Sequence, residues 1–189
     1  MPNQTEVATA VYAAYRLARG DASAIEYFDA TLSGFWKSFF AAVLIAPFYL
    51  MLLFGRHMVT ASDAIEPLRF YPVEMIGYVL AWVTFPLVMI PLADALDRRK
   101  LFFRFLVAYN RSSVLQQAVM LPISYLLLGG IIPGELAGPL HLIIVGAILF
   151  YIWFITRTAL ELPGITAAGI VFIAFVIDYI IIVLTASMH

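Results

Sequence analysis

Residues 140–156 read LHLIIVGAILFYIWFIT, a run without Asp, Glu, Lys or Arg. In lipid the backbone polar groups of such a run are satisfied in only two ways, within a helix or within a closed barrel. A barrel strand alternates polar and apolar side chains, and IIVGAILFYIWFI does not. The run is therefore read as a helix. About 20 apolar residues carry a helix across about 30 Å of hydrocarbon. Four further stretches have the same character: Phe35–Phe54 (FWKSFFAAVLIAPFYLMLLF), Met75–Ala93 (MIGYVLAWVTFPLVMIPLA), Phe102–Ile132 and Gly164–Ala186. The third opens with polar turns (NRSSVLQQ) before VMLPISYLLLGGII. The sequence thus predicts an all-α polytopic membrane protein. A five-helix transmembrane domain covers 35–189, with spans near 35–54, 75–93, 102–132, 140–156 and 164–186. A segment over 1–34 precedes it.

Composition points the same way. Of 189 residues, 63% are hydrophobic and 12% charged, with a mean hydropathy of +0.96. A soluble domain carries about 25% charge, so these residues cannot clothe a water-facing surface. A net charge of −1 argues against nucleic acid as a partner. The chain has no cysteine, hence no disulfide, thiolate zinc site or iron–sulfur cluster. The first apolar run follows Glu6, Arg16, Arg19, Asp21, Glu26 and Asp29 and lacks the short cationic lead of a signal peptide.

Lysine and arginine placement sets the expected orientation. Nine of the 11 fall on one side, namely Arg16, Arg19, Lys37, Arg98, Arg99, Lys100, Arg104, Arg111 and Arg157. Arg56 and Arg69 fall on the other. The expectation is an inner-membrane protein with a cytoplasmic N-terminus and an external, periplasmic C-terminus. In the N-terminal segment, Asn3/Glu6 and Ser23/Glu26 have capping-box spacing, with Gly20 between them suited to a helix end. Two cytoplasmic or interfacial helices are expected, over about 4–19 and 24–34. Ile25, Phe28, Leu32, Phe35 and Phe39 form one apolar face of the second.

The candidate site lies at membrane depth, where charge costs at least about 2.5–3.5 kcal/mol. Asp178 sits about 22 Å along the fifth span. On the third span Asn110, Ser113, Gln117 and Ser124 share one stripe. Gln116 and Gln117 lie about 20 Å in, matching the depth of Asp178, and Arg111 lies about 10 Å shallower. The sequence therefore predicts a polar seam of Asp178, Gln117, Gln116, Ser113, Asn110 and Arg111. Asp178–Gln117 is its first pairing and Asp178–Arg111 its second. Such a seam handles a proton or substrate, or it only fixes helix packing at about 0.6 kcal/mol per hydrogen bond.

A second candidate is a docking face of mixed sign made by Asp94, Asp97, Arg98, Arg99, Lys100 and Arg104, suited to a partner or an anionic headgroup. Lys37, Arg104 and Arg157 sit one or two turns inside the cytoplasmic boundary and read as snorkelling. Arg157 and Glu161 have pairing distance i,i+4. Pro47, Pro86, Pro91 and Pro122 bend their helices, and Gly129–Gly138 (GGIIPGELAG) reads as a turn. His57, His141 and His189 share no ligand spacing, so no metal is expected. HExxH, a P-loop, a dinucleotide fingerprint and a serine elbow are absent. No cofactor and no enzymatic activity are expected.

The stretch RKLFFRFLVAYNRSSVLQQAVMLPISYLLL has an amphipathic entry, small polar residues and a mid-membrane proline. LFYIWFITRTALELPGITAAGIVFI follows an aromatic-rich span with an immediate return. In these stretches, and in the layout of five spans behind a cytoplasmic N-terminal segment, the chain resembles bacterial members of the Yip1-domain family. The acidic and glycine–tyrosine motifs of eukaryotic members are absent. The resemblance implies an integral membrane protein of non-catalytic role. The expected function is an adaptor or scaffold whose partners are membrane lipids and either another membrane protein or a second copy. The alternative is a small transporter or channel centred on Asp178.

Overall fold

The structure, a computed structural model, describes residues 3–60 and 67–188. All regular structure among them is helical. Helix α1 (Gln4–Ala18) is followed by a 3-10 turn (Ala22–Tyr27), α2 (Leu32–Ser38), α3 (Phe40–Thr60) and α4 (Pro67–Ala95). A second 3-10 turn (Arg99–Leu101) leads to α5 (Phe102–Leu128), α6 (Gly134–Leu160) and α7 (Gly164–Ser187). Among the described residues, four helical stretches are long and apolar enough to cross a membrane: Leu32–Val59, Leu68–Ala95, Gly134–Leu160 and Gly164–Ser187. They make the chain a membrane protein. Helix α5 has comparable length, but its polar first half lowers its hydropathy below theirs.

Most of the helices run past the apolar windows expected from sequence, because backbone hydrogen bonding does not stop where hydrocarbon does. Helix α6 starts at Gly134 behind Pro133 as N-cap. Only Gly129–Pro133 of the expected turn is therefore a turn, and Gly130 supplies its positive φ of 67°.

The N-terminal segment follows expectation in part. Asn3 and Glu6 form the capping box of α1, with Glu6 N–H donating to Asn3 Oδ1 at 2.7 Å. The second helix expected over 24–34 does not form. Asp21, not Ser23, caps the 3-10 turn, accepting the Ser23 N–H at 3.0 Å. The chain then extends through Phe28, and α2 restarts at Thr31, whose hydroxyl accepts the Gly34 N–H at 3.1 Å. Asp21, Asp29 and Thr31 each offer a nearby N–H a side-chain acceptor, which competes with a continuous helix. Leu32, expected on the apolar face, is 56% exposed, whereas Ile25 and Phe28 are buried.

Helix α5 lies at the centre, packed on α1, α2, α3 and α6, while α7 packs on α4 and α6. Its bonds give the helix directions. Asn110 reaches Ser38 and Tyr125 reaches the Phe48 carbonyl, so α5 runs the same way as α2 and α3. Arg104 reaches the Ala159 carbonyl and Ser112 meets Tyr151, so α6 runs the opposite way. Phe85, Phe105, Leu106, Ile155 and Leu160 form the core at the α1 end. Ala10, Ala13, Ala14 and Leu17 of α1 are buried against it, since small residues let the helix backbones approach closely. Tyr151 fixes this contact by donating to the Ala14 carbonyl at 2.7 Å.

Candidate functional site

The polar stripe of α5 is brought together with the N-terminal elements rather than with α7. Asn110, 1% exposed, donates from Nδ2 to Ser38 Oγ at 2.9 Å, and Ser38 donates to the Phe35 carbonyl. Ser113 and Ser124 turn back onto their own helix, donating to the carbonyls of Tyr109 and Met120. Such bonds satisfy a hydroxyl in lipid without any partner helix. Gln116 keeps its Nε2 buried without a hydrogen bond among the described residues. Gln117 is half-buried beside it. Arg111 is half-buried under α1.

Asp178 stands apart from this stripe. It follows Val171 and Ala174 and precedes Ile181 at steps of 3 and 4, on the face of α7 that those residues bury. Its own side chain is exposed. No hydrogen bond or ion pair to it is found among the described residues, although its charge reaches the Tyr109 phenol. The expected Asp178–Gln117 and Asp178–Arg111 pairings are therefore not made. Equal depth does not bring two side chains together when their helices turn different faces, and α7 takes its main contacts from α4 and α6.

The expected docking face is partly neutralised within the chain. Arg99 pairs with Asp94 at 2.6 Å. Arg98 donates to the Asp97 carbonyl at 3.1 Å, and its Nε is buried without a hydrogen bond among the described residues. Lys100 and Asp97 are exposed. Arg104 turns inward, to the Ala159 carbonyl at 2.8 Å and to Glu161 at 2.6 Å. This last pair replaces the expected Arg157–Glu161 pair. Glu161 sits beyond the end of α6 at φ 52°, where helical i,i+4 spacing no longer holds. Arg157 lies over the Trp153 ring instead, 5.5 Å from its centre.

Two clusters escaped the sequence reading. Glu74, 7% exposed, accepts from the Tyr49 hydroxyl at 3.0 Å and lies 3.8 Å from Arg56. It falls one residue before the expected second span, and its position among apolar neighbours was the available signal. At the other end of the bundle, Lys37 donates to Glu6 at 2.8 Å, tying α1 to α2. A cavity of about 220 Å³ opens beside them, with Arg111, Asp29, Gly34 and Tyr27 in its wall.

The Lys37 bond, with the Asn3 N–H, holds the Glu6 carboxyl below its ordinary value of 4.5. A carboxyl lowered in the folded state contributes stability above its unfolded pKa and loses it as pH falls through the folded one. Docking of α1 is thus expected to loosen only below pH 4.5. A spin label at exposed Tyr12 checks this. Its mobility is expected to rise on acidification, and Glu6→Gln is expected to raise it at neutral pH and flatten the pH response. Equal traces for the two proteins exclude the role.

No family model, curated protein or solved structure matches this chain.

Proposed function

We propose that this protein is a non-catalytic membrane adaptor or scaffold that associates through its helices with another membrane protein or a second copy of itself. The observation that carries the reading is Asp178, exposed within the apolar α7 and without a hydrogen bond or ion pair among the described residues. A carboxyl in hydrocarbon calls for a polar group opposite it, and a neighbouring protein supplies one. Four other polar groups of α5, shallower or deeper than Asp178, speak against a continuous polar path. Asn110, Ser112, Ser113 and Ser124 are each hydrogen-bonded within the bundle.

The proposal includes α5 as a fifth span. At about 40 Å, from 1.5 Å per residue, it is long enough. Its polar half is sheltered by α1, α2 and α6 rather than turned to lipid. With five spans, the lysine and arginine distribution supports a cytoplasmic N-terminus and a C-terminus outside an inner membrane, a layout of Yip1-like type.

Because the chain has no native cysteine, single cysteines at Thr5 and Ser187 report the sides directly. An impermeant thiol reagent on sealed cells is expected to label position 187 and not position 5. Equal labelling overturns the five-span arrangement. For the function itself, co-purification from native membranes and self-association in liposomes are compared between the wild-type chain and Asp178→Leu. Loss of association supports the adaptor reading, and unchanged association in both assays overturns it.

A further inference from the structure

The cavity under α1 carries a charge pattern that its own residues leave half matched. Its wall holds two cations, Lys37 and Arg111, and two carboxylates, Glu6 and Asp29. Lys37 and Glu6 answer each other at 2.8 Å. Arg111 is near Glu6 and Asp29 yet makes no hydrogen bond or ion pair among the described residues. Asp29 accepts the Thr31 N–H through Oδ1 at 3.1 Å, and no hydrogen bond to its other oxygen is found among the described residues. One unanswered guanidinium and one under-used carboxylate thus remain in a space of about 220 Å³. A ligand that completes both carries an anion and a cation together.

A second feature restricts the ligand further. Arg111 also lines a narrow crease between α1, α3 and α5, walled by Val7, Val11, Phe40, Leu44 and Val114. The crease encloses only about 10 Å³, room for about one water, so a hydrocarbon chain would lie along its apolar lip rather than inside it. A headgroup-sized cavity with charged groups in its wall that meets an apolar crease at an arginine matches an amphiphile. Guanidinium groups recognise phosphate by two parallel hydrogen bonds, and a primary ammonium donates to a carboxylate.

We propose that this cavity binds one phospholipid with an ammonium–phosphate headgroup, its phosphate on Arg111, its ammonium on Asp29 and an acyl chain along the crease. The lipid then cements α1 to α3 and α5. The site is independent of Asp178 and of the adaptor reading.

The test uses the full chain, stripped of lipid in detergent and offered phosphatidylethanolamine and phosphatidylglycerol together, with bound lipid counted by native mass spectrometry. One phosphatidylethanolamine per chain is expected in preference to phosphatidylglycerol. Arg111→Gln is expected to lower its retention about tenfold, the worth of one charged hydrogen bond. Arg111 makes no hydrogen bond or ion pair among the described residues, so this variant is expected to keep the lipid-free melting temperature. Asp29→Asn keeps the Thr31 acceptor and is expected to erase the preference between the two lipids. Soluble phosphoethanolamine is not expected to displace the lipid. Wild-type retention by Arg111→Gln overturns the site. An undiminished preference in Asp29→Asn overturns the ammonium contact, and displacement by soluble phosphoethanolamine overturns the acyl track.

Discussion

Gly34→Ala is expected to cost about 3 kcal/mol, the upper part of the usual range for forcing a methyl group into a filled site. Gly34 is buried in the first turn of α2. A Cβ there would overlap the Asp29 carbonyl oxygen and lie 2.7 Å from Asp29 Cγ. The first of these is backbone and cannot rotate away, so the Phe28–Thr31 connection must move. That connection holds Phe28 in the core and Asp29 in the cavity wall, and α2 carries the Ser38 bond to Asn110. A melting temperature lower by about 6–12 °C follows, at 2–4 °C per kcal/mol for a chain of this size. Gly146→Ala and Gly169→Ala serve as controls. A Cβ at either meets nothing within 4 Å, and both lie inside helices, where alanine gains about 0.5–1 kcal/mol over glycine. The same methyl group is thus expected to act with opposite signs at position 34 and at these two. If all three melt alike, close packing of α2 on the Asp29 turn is not what holds the N-terminal segment in place.

How far the sequence could be read depends on what each residue answers to. Residues 140–156 are legible because every side chain agrees with one environment, lipid or core, and the helix follows. Helix α5 is harder, because Asn110, Ser112, Gln116 and Gln117 are set by which neighbours shelter them. Depth along a helix follows from counting, whereas the direction a face turns depends on the whole bundle. This is why Asp178 and Gln117 share a level and not a contact. The segment 21–31 misleads for a different reason. Ser23 has capping-box spacing with Glu26, but Asp21 and Thr31 do the capping, on either side of a connection that buries Ile25 and Phe28. Glu161 illustrates the same point at a helix end, where one left-handed residue redirects its carboxylate from Arg157 to Arg104. Local spacing fails wherever the backbone leaves the helix.

Replacing Asp178 by leucine is expected to separate the stability of the single chain from its association. Leucine removes a carboxyl that costs at least about 2.5–3.5 kcal/mol at membrane depth and that no hydrogen bond within the described residues offsets. The isolated bundle is therefore expected to melt higher by the equivalent of that cost. Association is expected to move the other way. A polar contact between helices in lipid is worth about 1–2 kcal/mol at the upper end, so the dissociation constant should rise roughly tenfold. Energy transfer between labelled chains, titrated by protein-to-lipid ratio in liposomes, reads self-association; retention of the native partner reads association with another protein. A residue that merely packed its own helices would show the reverse, a lower melting temperature with association unchanged. Asp178→Asn adds a third discrimination. Asparagine still hydrogen-bonds but does not ionise, so it cannot take up and release a proton as a carboxyl does. An adaptor contact is expected to survive it largely intact, whereas ion or solute flux that depended on the carboxyl would vanish. Flux lost in Asp178→Asn, with association equal in all three proteins, would assign Asp178 to transport and end the adaptor reading.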